Sequence, residues 1–181
     1  FDVLDYYHKT GWHPQRWLMI CKLRQQLERD PALRKKFKYV STVPEYICAN
    51  VFSDFVTDIT NAQITGLCDF HEKSWDPELL EWAGTDIDNM PRLENNLIVI
   101  AENAAVEAGS VDIVTSSHDQ YAAMEALGLR ADKDIMLATG TAWVINIRTT
   151  EPLYDDRNYS IHPGRDLERG RFGNIIGLGP I

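Results

Sequence analysis

The chain has 181 residues, 44% of them hydrophobic and 25% charged. Those fractions are those of an ordinary globular protein and exclude collagen-like, disordered and coiled-coil classes. Asp and Glu outnumber Lys and Arg by 27 to 18, for a formal net charge of -9; such a surface repels phosphate backbones and anionic lipid, so no nucleic-acid and no membrane partner is expected. Cys21, Cys48 and Cys68 cannot all pair within the chain and form no C-x-x-C spacing, which argues against a compact zinc or dithiol site and for a reducing, cytoplasmic setting.

No apolar run reaches the roughly 20 residues that cross a bilayer. The opening Phe1-Asp2-Val3-Leu4-Asp5 has neither an initiator Met nor a secretory signal, and the chain stops in Gly177-Leu178-Gly179-Pro180-Ile181. A segment of a longer protein is expected.

In chain order, the first third reads as helical. Trp17, Leu18, Cys21 and Leu27 recur at helical spacing, with Lys22, Arg24 and Gln25 outward. Asp30-Pro31 reads as an N-cap followed by proline, with Leu33 and Phe37 as an i, i+4 pair. Seven of the 18 basic residues fall in 22–38; without interleaved aromatics they read as solvated helix faces rather than a nucleic-acid patch. Thr42-Val43-Pro44-Glu45 fits a capping box opening a helix through Tyr46, Ile47, Ala49 and Val51. Asp76-Pro77-Glu78 starts another that Gly84 ends. A helix is expected over residues 101–108, stopped by Gly109. A strand over residues 111–115 then leads to a helix from about Asp119 to Leu127. Residues 135–138 and 143–147 read as two strands around Thr139-Gly140-Thr141. The whole is mixed α/β, with a boundary near residues 130–132.

Two places suit chemistry. At the strand-to-helix junction, Ser116 or Ser117 is positioned to cap, with Gln120 closing a Ser117-x-x-Gln120 box. Asp119 then falls in the first turn, where backbone N–H groups and the helix dipole favour its ionised form. A carboxylate held there can take a proton from a hydroxyl, although first-turn acids commonly serve only the helix; His118 reads as a structural histidine. At the second place, small residues of Thr139-Gly140-Thr141-Ala142 allow a phosphate to approach backbone N–H groups. Alone, the motif reads as an ordinary hairpin, and it is no G-x-x-x-x-G-K-[ST] loop. Together, 21 positions apart, Asp119 and Gly140 can form opposite walls of one cleft for phosphoryl transfer.

Ser117-His118-Asp119-Gln120-Tyr121-Ala122-Ala123, then Asp134-Ile135-Met136-Leu137-Ala138-Thr139-Gly140-Thr141, resembles the cleft of the FGGY carbohydrate kinases. Earlier stretches agree in order: Thr10-Gly11 onward to Leu27, Glu45-Tyr46-Ile47, Phe55-Val56-Thr57-Asp58-Ile59-Thr60-Asn61-Ala62, Trp75-Asp76-Pro77-Glu78-Leu79-Leu80 and Met90-Pro91. The resemblance covers most of residues 10–148. It implies an α/β fold of the actin/hexokinase (ribonuclease-H-like) type, present as an incomplete segment: residues 1–130 as the latter part of the first domain and 131–181 as the start of the second.

By the same resemblance, the complete protein is an ATP-dependent kinase of a sugar or polyol, with Mg2+ arriving with the nucleotide. Asp119 matches the general base, Gln120 a polyol contact, and Gly140 and Thr141 the turn facing the nucleotide's phosphates; no residue is implied as a direct metal ligand. The chain departs from the family in having Ser116-Ser117 where Gly-Gly is usual and Ala142 where Ser or Gly is usual. It contains neither the family's Asp-x-Gly-Thr loop nor its glycine-rich adenosine region, so the segment alone is expected to be inactive. A degenerate relative acting as a sugar-binding or regulatory module is the alternative. Trp12, Trp17 and Trp143 are expected in core packing.

Overall fold

The computed structural model describes residues 2–94, 97–115, 117–140, 142–167 and 170–180. Local chemistry sets most of the early helix ends. The Asp2 carboxylate accepts the N–H groups of Leu4 and Asp5 and opens α1 (Val3–Thr10), which ends in left-handed Gly11. The next helix, α2 (Met19–Arg29), starts after Trp17 and Leu18 rather than including them, and Trp17 lies half exposed. Asp30 caps through Ala32 N–H, but Pro31–Lys35 forms a 3-10 helix. The expected capping box is present: Glu45 accepts the Thr42 N–H at 2.8 Å and opens α3 (Val43–Phe52).

The chain then crosses the core as β1 (Val56–Asp58) and turns into α4 (Ile59–Gln63), whose cap is the Asp58 carboxylate. A short hairpin of β2 (Cys68–Asp69) and β3 (Ser74–Trp75) follows, then α5 (Pro77–Ala83), capped by Asp76 and ended by left-handed Gly84 as its sequence predicts. Next, β4 (Arg92–Glu94) runs parallel to β1, with Val56 opposite Arg92. Tyr6, Leu18, Ile20, Ile59, Leu67, Trp75, Leu80 and Met90 form the core between these helices. Gly66, at φ 73, lets the Tyr6 ring pass: a Cβ there would lie 2.3 Å from the Tyr6 hydroxyl, which instead donates to the Gly66 carbonyl at 3.0 Å.

Residues 101–108 are not helical. They belong to β5 (Val99–Val106), which pairs antiparallel with β6 (Gly109–Val114) through a turn at residues 107–108. Ala and Glu favour a helix by only tenths of a kcal/mol per residue, and pairing with the β-branched strand outweighs that. Asn103, at φ 52, breaks helical continuity and donates its N–H to Asp112. Val43, Tyr46, Ile47 and Val51 of α3 and Val99, Val106, Val111 and Val114 of the hairpin are exposed.

After α6 (Asp119–Ala126) the chain builds an antiparallel sheet in the order β7 (Ile135–Thr139), β8 (Ala142–Thr149), β10 (Phe172–Pro180), β9 (His162–Arg165). The expected pair around Gly140 is its first hairpin. This sheet packs on the helical half through specific polar contacts. Tyr7 donates to the Ile161 carbonyl at 2.6 Å, His8 pairs with Asp156 at 2.7 Å, and Gln63 holds both backbone groups of Arg165. Trp12 is buried as expected, whereas Trp143 remains partly exposed on β8. The three cysteines are free. Among the described residues, no helix is long and apolar enough to cross a membrane.

The junction contains an acid-sensitive group. His162 of β9 stacks on Trp12 at 4.2 Å, and burial chiefly lowers its pKa to about 4, with nearby His13 acting in the same direction. An unfolded chain protonates this imidazole near 6.5 whereas the folded chain holds it neutral. Stability is therefore full above pH 6.5, declines as pH falls, and the His162 contribution levels off below about 4. Urea midpoints measured from pH 7.5 to 4 should decline less in His162→Gln than in the parent.

A second expectation concerns Asn146 of β8. It is fully buried and, among the described residues, neither side-chain polar atom has a hydrogen-bond partner, while its cross-strand neighbours are Met136 and Ile175. An unpaired buried amide destabilises by about 1–3 kcal/mol, so Asn146→Leu should raise the urea midpoint.

Candidate active site

Asp119 occupies the first position of α6 and its side chain is 82% exposed. One carboxylate oxygen, Oδ1, accepts the Gln120 N–H at 2.8 Å. Gln120 is half-buried, with its Oε1 enclosed and lacking a hydrogen-bond partner.

The expected serine cap does not form. Ser116 lies outside the described residues, and the helix begins one residue later than a Ser117 cap requires, with His118 at the cap position and no side-chain cap bond. Gln120 therefore sits at the second helical position, where it cannot close a box back to Ser117. Instead the His118 N–H donates to Thr60 Oγ1 at 2.8 Å. The His118 side chain is largely buried, with Nδ1 3.4 Å from Asp119 Oδ1. Burial lowers its pKa below the usual histidine value, against the pull of Asp119 and Asp58. At neutral pH the imidazole is uncharged, which fits its expected structural role.

Gly140 is at the tip of the β7–β8 hairpin, just beyond the Thr139–Trp143 pair, and is exposed. A Cβ at Gly140 would approach only the Ala142 carbonyl, at 3.9 Å. Thr141 lies outside the described residues. Asp119 and Gln120 are thus adjacent at one helix end, and Gly140 is at the tip of a separate hairpin.

Contacts not foreseen from sequence join the helix to the sheet and to α4. The Arg148 guanidinium, fully buried on β8, bonds both Asp166 oxygens at 2.8 and 2.7 Å. It also donates to the Leu129 carbonyl and lies 3.2 Å from Glu125 of α6. Burial opposes its charge, and the Asp166 and Glu125 carboxylates more than offset that, so its pKa is held above the ordinary arginine value. Tyr121 lies flat against Gly173 of β10, where a Cβ would come within 2.0 Å of its ring. Gln63 of α4 donates to the Tyr121 hydroxyl at 3.2 Å. One signal was available in sequence: Arg148 follows the apolar and β-branched run of residues 142–147, broken only by Asn146, and a charge at an inward strand position needs a partner.

Removing one member of a fully buried pair leaves the other uncompensated, at about 3–5 kcal/mol. Asp166→Ala should destabilise by up to that amount in denaturant titration, Glu125 remaining 3.2 Å from Arg148. Replacing Arg148 and Asp166 together by apolar residues of similar volume should cost much less.

Comparison with known proteins agrees with this architecture. Residues 2–127 match the model of the FGGY family of carbohydrate kinases, N-terminal domain. The rhamnulokinase of Halalkalibacterium halodurans is 26% identical over 181 residues, covering 95% of this chain and 38% of its own length. Among solved structures, the xylulose kinase from Rhodospirillum rubrum superposes with a TM-score of 0.86 at 19% identity, over 99% of this chain and 38% of that one. Plasmodium falciparum glycerol kinase with ADP superposes at 0.83 and 16% identity, with the same coverage. The chain therefore spans under two fifths of the length of these relatives. Its fold is that segment of the sugar-kinase fold, and the chain belongs to the FGGY family of carbohydrate kinases.

Proposed function

We propose that this chain is the base-carrying portion of a longer ATP-dependent kinase that phosphorylates a hydroxyl of a sugar or polyol. The observation that carries the reading is the placement of Asp119: at the head of a helix, exposed, with Oδ1 engaged by the Gln120 N–H. Oδ2 is then the oxygen that accepts the hydroxyl proton. A carboxylate within reach of the hydroxyl can take its proton as general base. Gln120, next to Asp119 at the same helix end, is in this reading the contact to a second hydroxyl of the same substrate. Gly140, without a side chain and open to approach, supports a turn facing the nucleotide's phosphates, with Thr141 beside it.

Bound ATP supplies the transferable phosphoryl group, and Mg2+ carried with it neutralises phosphate charge. The substrate oxygen bonds to the γ-phosphorus as its proton passes to Asp119 and the bond to the leaving ADP breaks. The exposed carboxylate then releases the proton to solvent. In this reading Asp119 and Gly140 face one another across a gap, residues 1–130 are the latter part of the first domain, and 131–181 open the second. The family-domain match through residue 127 supports that division. The exposed apolar faces of α3 and the β5–β6 hairpin support coverage by the rest of the longer chain. The setting is cytoplasmic and the partners are small molecules.

In the full-length protein, Asp119→Asn should lower kcat by about 10²–10⁴ with little change in KM for sugar or ATP. The 181-residue chain alone should show no sugar-dependent ADP release in a coupled assay. Undiminished turnover by Asp119→Asn would remove the base assignment. Sugar binding without turnover in the parent protein would favour the degenerate sugar-binding module instead.

A further inference from the structure

Thr57-Asp58-Ile59-Thr60-Asn61-Ala62 is among the family-like stretches, yet its residues have no place in the chemistry above. The structure gives them one. Thr60 is completely buried at the second position of α4. Its hydroxyl has one proton and gives it to Asp58 Oδ1 at 2.5 Å. With that proton committed, the oxygen's lone pairs are left to accept, and one receives the His118 N–H at 2.8 Å. Asp58 is itself held by the Thr60 and Asn61 backbone N–H groups and by the Asn61 amide at 2.6 Å. The direction of the Thr60 bond is therefore set, because a carboxylate can only accept.

The donor is the cap residue of α6, which has no side-chain cap of its own. The next residue is Asp119. We infer that Thr60 is a positioning residue for the general base, fixing through the His118 amide where α6 begins and hence where the Asp119 carboxylate stands. The inference rests on the reading of Asp119 given above. Two elements 58 positions apart in sequence meet here through one hydroxyl, and this fixes the base from the helical half of the molecule. The Arg148 cluster fixes the far end of the same helix from the sheet.

The test uses the full-length kinase. Thr60→Val keeps the branched volume and deletes the hydroxyl; Thr60→Ser keeps the hydroxyl. Thr60→Val should lower kcat about tenfold or more, since displacements of about 1 Å carry such losses, with sugar and ATP KM within about twofold. Thr60→Ser should restore most of the rate. Equal rates in Thr60→Val and the parent would overturn the inference, as would Thr60→Ser being as slow as Thr60→Val, which would assign the effect to packing.

A second pair keeps the test open if Thr60→Val does not fold. His118, at φ -55, has a backbone proline can adopt. His118→Pro removes the N–H, whereas His118→Ala removes only the imidazole. The proline variant should be the slower in kcat, and parity between the two would overturn the inference. Asp119→Asn is the control that separates the readings: if it retains activity, the base assignment itself fails, whatever Thr60 does.

Discussion

The buried guanidinium of Arg148 is the constraint on which the arrangement of the two halves depends. A charge with no exposed surface is tolerated only where partners replace water; Asp166 does so from just after β9, and Glu125 and the Leu129 carbonyl from the end of α6 and just beyond it. The geometry is demanding, because a planar fork must meet a carboxylate edge-on. Once met, it sets the angle at which α6 leaves the sheet. It also fixes the end of the β7–β8 hairpin opposite the Gly140 tip, since Arg148 sits one residue beyond the Ile135–Ile147 pair. An apolar contact at that position would permit sliding; the ion cluster does not.

Around this anchor, close approaches do the remaining work. Gly173 allows the Tyr121 ring to lie on β10, and Gly11, at φ 78, allows the end of α1 to meet the Pro163 carbonyl. Gln63 bridges the two halves by bonding to Arg165 and Tyr121 at once. The result is a seam of close backbone approaches, aromatic contacts such as Trp12 on His162, and specific polar bonds. By contrast, the exposed valines of the β5–β6 hairpin and the apolar face of α3 belong to surfaces that a longer chain of this family has material to cover.

Features legible in the sequence share a short range. Thr42 with Glu45, Asp76 with Pro77 and Gly84, and the strands either side of Gly140 each depend on residues within a few positions, so turn and cap chemistry was enough to place them. The misreadings share the opposite property. Residues 101–108 have helical composition but a strand partner waiting at 109–114. Ser117 was a sound cap on local grounds, yet Thr60 bonds the next amide from across the fold. Asp119 and Gly140 were raised as candidates by local chemistry, but it was the family resemblance that gave them and Gln120 their expected roles, because a first-turn acid and a small-residue turn are common in any α/β protein.

Several helix starts and stops, the hairpin around Gly140 and the family resemblance were therefore legible in the amino-acid sequence, since capping bonds and ordered motifs are local and need no knowledge of distant neighbours. Which groups surround the start and end of α6 was decided only in three dimensions. Hydrogen bonds such as His118 to Thr60 and ion pairs such as Arg148 to Asp166 join residues 58 and 18 positions apart. Their partners become partners only when folding removes the water that would otherwise satisfy each of them.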